Sequence, residues 1–245
     1  MLPALIFCAV RARLFGLFIV GMALLPARAR GEGSLAGTLT VTRGGVPVEA
    51  RYSLLFVKGY VAASSEGPKR LGQAGRSFDP PVLALVKGQR VEFANDEVAG
   101  IWHHVFSLSE AQKFDLGRYK SPERRKQAFY REGRVDVFCD IHKEMFATLW
   151  VLPNPGYVLL PVGPRGGAAF KIENVRVGTF TLVAWNRLGT QPLEIPVTVR
   201  EGETTHVNVT LELGERPLEA LISNHRDARG RDYSPANRKQ ETGDW

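Results

Sequence analysis

Sulfur is scarce in this chain. Its 245 residues hold two cysteines and three methionines. Cys8, Met1 and Met22 fall within the first 29 positions, so Cys139 and Met145 are the sole thiol and thioether beyond them. A segment with one cysteine closes no internal disulfide, which excludes the small disulfide-stapled class. Long apolar runs are missing too: no stretch after residue 30 is apolar enough and long enough to span a bilayer. Neither charge sign dominates. The chain has 32 Lys and Arg against 25 Asp and Glu and no nucleic-acid-binding motif, so it carries no nucleic-acid footprint. Hydrophobic residues at 44% and charged residues at 23% are ordinary for a folded protein. The length allows one large or two small domains.

The first 29 residues predict a secretory signal peptide. Arg11 and Arg13 precede the apolar run 14–25, and Ala27-Arg28-Ala29 has the small-x-small cleavage pattern. An N-terminal membrane anchor is the alternative, kept open by the second apolar run at 2–10. Export predicts a periplasmic protein, with no membrane span after cleavage.

What the chain does have is concentrated at 135–145, Val-Asp-Val-Phe-Cys-Asp-Ile-His-Lys-Glu-Met. Val135 and Val137 alternate with polar or exposed positions, as in a half-buried strand. Cys139, His142 and Met145 follow within seven residues, and a tight loop after a strand brings i, i+3 and i+6 together. A single Cys is most often a small buried hydrophobe. Here, however, the only thiol and only thioether flank a histidine. Soft sulfur with imidazole selects copper, and two imidazoles, one thiolate and a weak axial thioether make the electron-transfer copper site. The fourth donor would come from His103 or His104 in Trp102-His103-His104-Val105-Phe106-Ser107. Adjacent strand residues face opposite sides, so only one of the pair can turn inward.

Cys139-x-x-His142-x-x-Met145, with the distant His-x-Val-Phe, resembles a cupredoxin (type 1 blue-copper) domain with a short ligand loop of the amicyanin and pseudoazurin kind. Phe78-x-Pro80, Val86-x-Gly88-x-x-Val91-x-Phe93-x-Asn95-Asp96 and Phe114-Asp115-Leu116-Gly117 fit the same pattern, which resembles the plastocyanin-like proteins often labelled methylamine-utilisation proteins and covers roughly 74–155. The resemblance implies a Greek-key β-sandwich holding one type 1 copper through His103, Cys139, His142 and Met145. His103 is chosen by aligning on Val105-Phe106. Two departures stand out: His104 replaces the usual Asn, and Lys143 replaces the Pro often found after the second His. Phe138, Ile141 and Phe146 would form the apolar shell, with electron exit through His142. Protein donors fill every position, so the expectation is a one-electron carrier and not an enzyme. A copper chaperone or scavenger, and a non-redox binding module with a structural metal, are the alternatives.

The remaining chain predicts more strands. Gly37 through Ala50, Phe170-x-Ile172-x-Asn174-Val175-x-x-Gly178-x-Phe180-x-Leu182 and Val197-x-Val199-x-x-Gly202 resemble the transthyretin-like modules called carboxypeptidase regulatory-like domains. The fold class is therefore expected to be all-β. Residues 34–58 would give the first strands of this second small sandwich, 74–153 the copper domain, and 157–213 the rest of the second sandwich. On that division the copper domain is inserted in the sandwich; two domains in series is the alternative. Residues 62–75 are expected to form a loop or linker, and 109–132 a charged connection with a helical turn near 122–129. The tail 214–245 is expected to be disordered, with His206 and His225 as structural or surface residues. Between 118 and 134, Arg118, Lys120, Arg124, Arg125, Lys126, Arg131 and Arg134 face only Glu123 and Glu132 within the segment. Such a run predicts an acidic redox partner, a cytochrome or dehydrogenase surface, drawn in by electrostatic steering.

Overall fold

The computed structural model describes residues 31–98, 100–189, 191–215 and 225–232. The expected signal peptide lies outside them. Strand patterning dominates throughout, and the fold is all-β, as expected. Three strands come first among the described residues: β1 (Glu32–Arg43), β2 (Val46–Pro47) and β3 (Ala50–Lys58). Nine follow: β4 (Lys69–Ala74), β5 (Ser77–Asp79), β6 (Val82–Val86), β7 (Arg90–Asn95), β8 (Trp102–Leu108), β9 (Lys113–Lys120), β10 (Arg124–Ala128), β11 (Gly133–Cys139) and β12 (Phe146–Leu152). The last six are β13 (Tyr157–Val162), β14 (Gly167–Arg176), β15 (Gly178–Trp185), β16 (Leu193–Val199), β17 (Thr204–His206) and β18 (Val209–Glu212).

Pairing sorts these strands into two sandwiches. The middle nine form sheets ordered β10-β7-β4-β5 and β6-β12-β11-β8-β9. Between the two lies a core of Leu71, Phe93, Val105, Tyr119, Phe129, Val137, Cys139, Met145 and Leu149 among others. The flanking strands join across the middle segment. In one sheet β1 pairs antiparallel with β14 and parallel with β17 and β18; the other runs β13-β3-β15-β16. Leu39, Leu55, Val57, Ile172, Leu182 and Val199 are among the residues in the core between these two sheets.

A third apolar cluster lies where the sandwiches meet. Leu54, Phe56, Val183 and Trp185 from one pack against Val82, Ala84 and Leu152 of the other. Trp150 sits between, its ring centroid 5.4 Å from both Phe56 and Trp185. Strand β3 is therefore buried on both faces: Leu55 and Val57 enter one core while Leu54 and Phe56 enter the junction. A strand covered on both sides shows a continuous apolar run in place of alternation, as Leu54-Leu55-Phe56-Val57 does.

Two local expectations need correction. The 62–75 stretch is not all linker, since β4 runs in parallel register with β7 from Lys69↔Val91 to Gln73↔Asn95. The 109–132 stretch has no helical turn: its residues form β9 and β10, and β10 pairs with β7 as a sheet edge. Charge density there reflects the edge position, since Arg124 and Lys126 point outward, where charge blunts strand pairing with other chains. Within the expected tail, residues 225–232 fold as a tight turn with Asp227 buried inside it, and 216–224 and 233–245 lie outside the described residues.

Candidate metal centre

Strands β8 and β11 run side by side, with Cys139 opposite Val105 and Phe138 opposite Phe106. Alternation along β8 turns His103 and Val105 into the core, and His103 is fully buried. His104 faces the other side. Its Nε2 lies 2.6 Å from Asp115 Oδ1 and its Nδ1 lies 3.6 Å from Asp140 Oδ2. Strand β11 ends at Cys139, and the chain turns at once, so that the Met145 N–H donates to the His142 carbonyl at 2.9 Å. That turn brings the His142 ring over Cys139 and buries Met145 in the cluster that holds Cys139.

The donor atoms converge. Cys139 Sγ is 3.7 Å from His103 Nδ1 and 3.8 Å from His142 Nδ1, and the two nitrogens are 3.2 Å apart. An ion bound in plane at about 2.0–2.1 Å from nitrogen and 2.3 Å from sulfur separates S from N by roughly 3.7 Å and N from N by roughly 3.5 Å. The triangle fits such an ion with little movement. His103, Cys139 and His142 are the His, Cys, Asp or Glu cluster of metal-holding shape among the described residues.

Electrostatics favour the metal-binding forms of the imidazoles. Burial pushes His103 below the ordinary histidine value; the neighbouring His142 adds to this and Glu97 opposes it. Burial likewise lowers His142. Both rings are thus held neutral, with a lone pair to donate. Burial raises the Cys139 thiol, against the pull of the amide N–H groups of His104, His142 and Ile141. The N–H groups of His104 and His142 each lie 3.5 Å from Sγ. Both would stay bonded to a thiolate, since they donate to negative charge.

Glu97 orients His103. Its Oε1 lies 3.2 Å from His103 Nε2, which puts the proton on Nε2 and leaves Nδ1 facing the sulfur. Burial pushes the Glu97 carboxyl up, but the N–H groups of Arg76 and Gly75, with His103, outweigh it and leave the group below the ordinary value. Those amides donate at 2.8 and 3.1 Å. Glu97 is absent from the sequence-based site, because nothing in its spacing separates it from Asp96 beside it. Arg187 is absent for a different reason, since it comes from the other sandwich. Its guanidinium lies 4.5 Å from the Phe146 ring centroid, next to Met145 in the chain, and burial pulls its pKa down to about 10.

Of the expected shell residues, Phe138 and Phe146 stack with centroids 5.0 Å apart on the sheet face away from the donors, whereas Ile141 is exposed. His142 is the half-buried member of the donor triangle, and the exposed Ile141 precedes it in the chain. The basic segment 118–134 is better paired than its own sequence indicates. Arg124 and Lys126 share Glu92, Arg125 pairs with Glu123, and Arg134 with Asp136. Arg118 and Lys120 lie opposite His104 and Trp102 in the β8–β9 register, beside the donor strand.

No family model and no curated protein matches the chain. Solved structures do. The chain is similar over 40% of its length to a copper-containing nitrite reductase from Thermus scotoductus SA-01, at 24% identity and a TM-score of 0.34. Over 34% it is similar to a purple cupredoxin from Nitrosopumilus maritimus, at 19% identity and a TM-score of 0.32. An oxidised variant of amicyanin matches over 40% at 16% identity, also with a TM-score of 0.32. The matched part spans 25% of the nitrite reductase, 99% of the purple cupredoxin and 98% of amicyanin.

Proposed function

We propose that this protein is an exported cupredoxin-type carrier of single electrons, holding one copper ion through His103, Cys139, His142 and Met145. The observation that carries the proposal is the triangle of Sγ and two Nδ1 atoms, with edges of 3.7, 3.8 and 3.2 Å, closed inside an apolar core. A copper ion bound there supplies a reversible one-electron couple, and thiolate, imidazole and thioether donors suit both of its oxidation states. The chain's own part is to hold the donors still. Glu97 fixes one ring, two backbone N–H groups fix the sulfur, and the short turn from His142 to Met145 fixes the loop. With four protein donors no position is left open for substrate, which supports a carrier over a turnover enzyme. Half-buried His142 gives the shortest covalent path from the donors toward solvent. The exported, periplasmic setting rests on the pattern of Arg11 to Ala29 alone.

A visible spectrum of the copper-loaded, oxidised protein tests this reading. An intense red-region thiolate-to-metal band is expected. Cys139→Ser removes it, His104→Asn keeps it, and Met145→Leu keeps it while raising the reduction potential. A colourless copper-loaded protein would overturn the reading. Loss of colour in His104→Asn would transfer the donor role from His103. The partner proposed is a redox protein with an acidic face, steered by the net positive charge of the 118–134 segment, whose seven basic residues outnumber the acidic groups set against them. Changing Arg124, Arg125 and Lys126 to Glu is expected to slow electron transfer at low salt and leave the spectrum alone. Rates equal to wild type and flat with ionic strength would remove the acidic partner.

A further inference from the structure

Residues 225–232, His-Arg-Asp-Ala-Arg-Gly-Arg-Asp, sit across the loop that carries three of the four proposed donors. The segment makes its own shape. Asp227 Oδ1 accepts from the N–H groups of Arg229 and Arg231, at 3.0 and 2.8 Å, and Oδ2 accepts from the Arg231 side chain. Gly230 takes a left-handed φ of 77°, which lets so tight a turn close at little cost. The Asp227 and Arg231 backbones also bond directly, as do those of Gly230 and Asp227.

The turn is then fastened at three points. The His225 ring stacks on Phe138, one residue before Cys139, with centroids 4.1 Å apart and planes at 22°. Its Nε2 lies 2.9 Å from the carbonyl of Lys143, one residue after His142. The Ala228 N–H donates to Asp140 Oδ1 at 2.7 Å, one residue after Cys139. Asp140 in turn approaches His104, beside His103, through its other oxygen. Each of these three fastenings falls on a residue adjacent to a proposed donor. Phe138 continues the ring column through Phe146 to Arg187, so the sheet face behind the donors is covered by the segment at one end and by the flanking sandwich at the other.

We propose that 225–232 is a strap that holds the donor loop in its metal-ready shape, with His225 and Ala228 as positioning residues; this rests on the copper reading above. A loop pinned on both sides of His142 changes little when an electron arrives or leaves.

The test uses the full chain with His225→Ala and Ala228→Pro, the second deleting the N–H that reaches Asp140. In the metal-free protein, amide exchange of Asp140, His142 and Met145 is expected to quicken roughly tenfold in each variant, the scale of one lost hydrogen bond. Exchange in β1 and β14, far from the strap, should stay unchanged. With copper loaded, transfer of copper(I) to bicinchoninate should quicken and the charge-transfer band should shift, while His225→Gln, which keeps an N–H for the Lys143 carbonyl, restores most of the wild-type rate. Loop exchange equal to wild type in both variants would overturn the strap, as would an equal rise everywhere in the molecule. Faster loop exchange in a protein that takes up no copper would leave the strap standing and sink the copper reading instead.

Discussion

At the scale of single residues, the decisive contact is Glu97 to His103. A buried imidazole can present either nitrogen, and the carboxylate at Nε2 selects Nδ1 for the sulfur side. Glu97→Gln keeps the shape but weakens that bond, so metal affinity is expected to fall by roughly 10–100-fold. Competition against a chelator of known affinity measures it, and an unchanged constant would show that packing alone aims the ring. The sequence discloses the donors unevenly. Cys139, His142 and Met145 share one loop, so their spacing shows them together, whereas alternation admits only one of His103 and His104 and the cupredoxin resemblance, aligned on Val105-Phe106, picks His103. Glu97 acts through a fold in which residues 75 and 76 donate to it, and Arg187 reaches Phe146 from the other sandwich. Such long-range contacts leave no periodic trace.

Among the elements, β3 has the heaviest duty. Leu55 and Val57 fill the core of the flanking sandwich, and Leu54 and Phe56 fill the junction. Truncating Phe56 to Ala removes a ring packed against Trp150 and should cost about 3–5 kcal/mol of stability. The loss is expected in a denaturant titration, with the copper spectrum unaltered, because the junction lies on the sheet face opposite the donors. A cost below about 1 kcal/mol, the scale of ordinary surface changes, would mean that the junction contributes little. The all-β class was readable from short apolar runs between turn signals. Strand β10 was not, because Arg124-Arg125-Lys126 looks like a solvated connection until Glu92 on β7 is set beside it. Residues 225–232 were hidden for a similar reason: polar residues that satisfy one another give no hydrophobic period.

On the scale of the whole molecule, the two sandwiches share a wall. A fragment of residues 60–156 keeps both sheets of the inner sandwich but uncovers Val82, Ala84, Trp150 and Leu152. Each large apolar side chain returned to water forfeits about 1.5–3 kcal/mol. The fragment is expected to take up copper, melt well below the full chain and self-associate through the bared face, which sedimentation velocity would detect. A monomeric fragment as stable as the parent would deny the wall any energetic role. The complementary chain, 34–58 bridged by a short Gly/Ser link to 157–213, loses only the Glu32↔Arg176 and Gly33↔Val175 pairs among β1, β3, β13, β14, β15 and β16 and is expected to fold.

The two-sided burial of β3 also sets an order in time. Both of its hydrogen-bonding neighbours, β13 and β15, lie about a hundred residues further along the chain. In a chain that emerges N-terminus first, this apolar strand therefore has bare edges until those later strands follow. Every strand of the inner sandwich, down to Leu152, precedes β13 at Tyr157, so its apolar wall has all the chain it needs before β3 gains either neighbour, and Leu54 and Phe56 can rest on it. The inner sandwich is thus placed to shelter the outer one while the outer one is still incomplete.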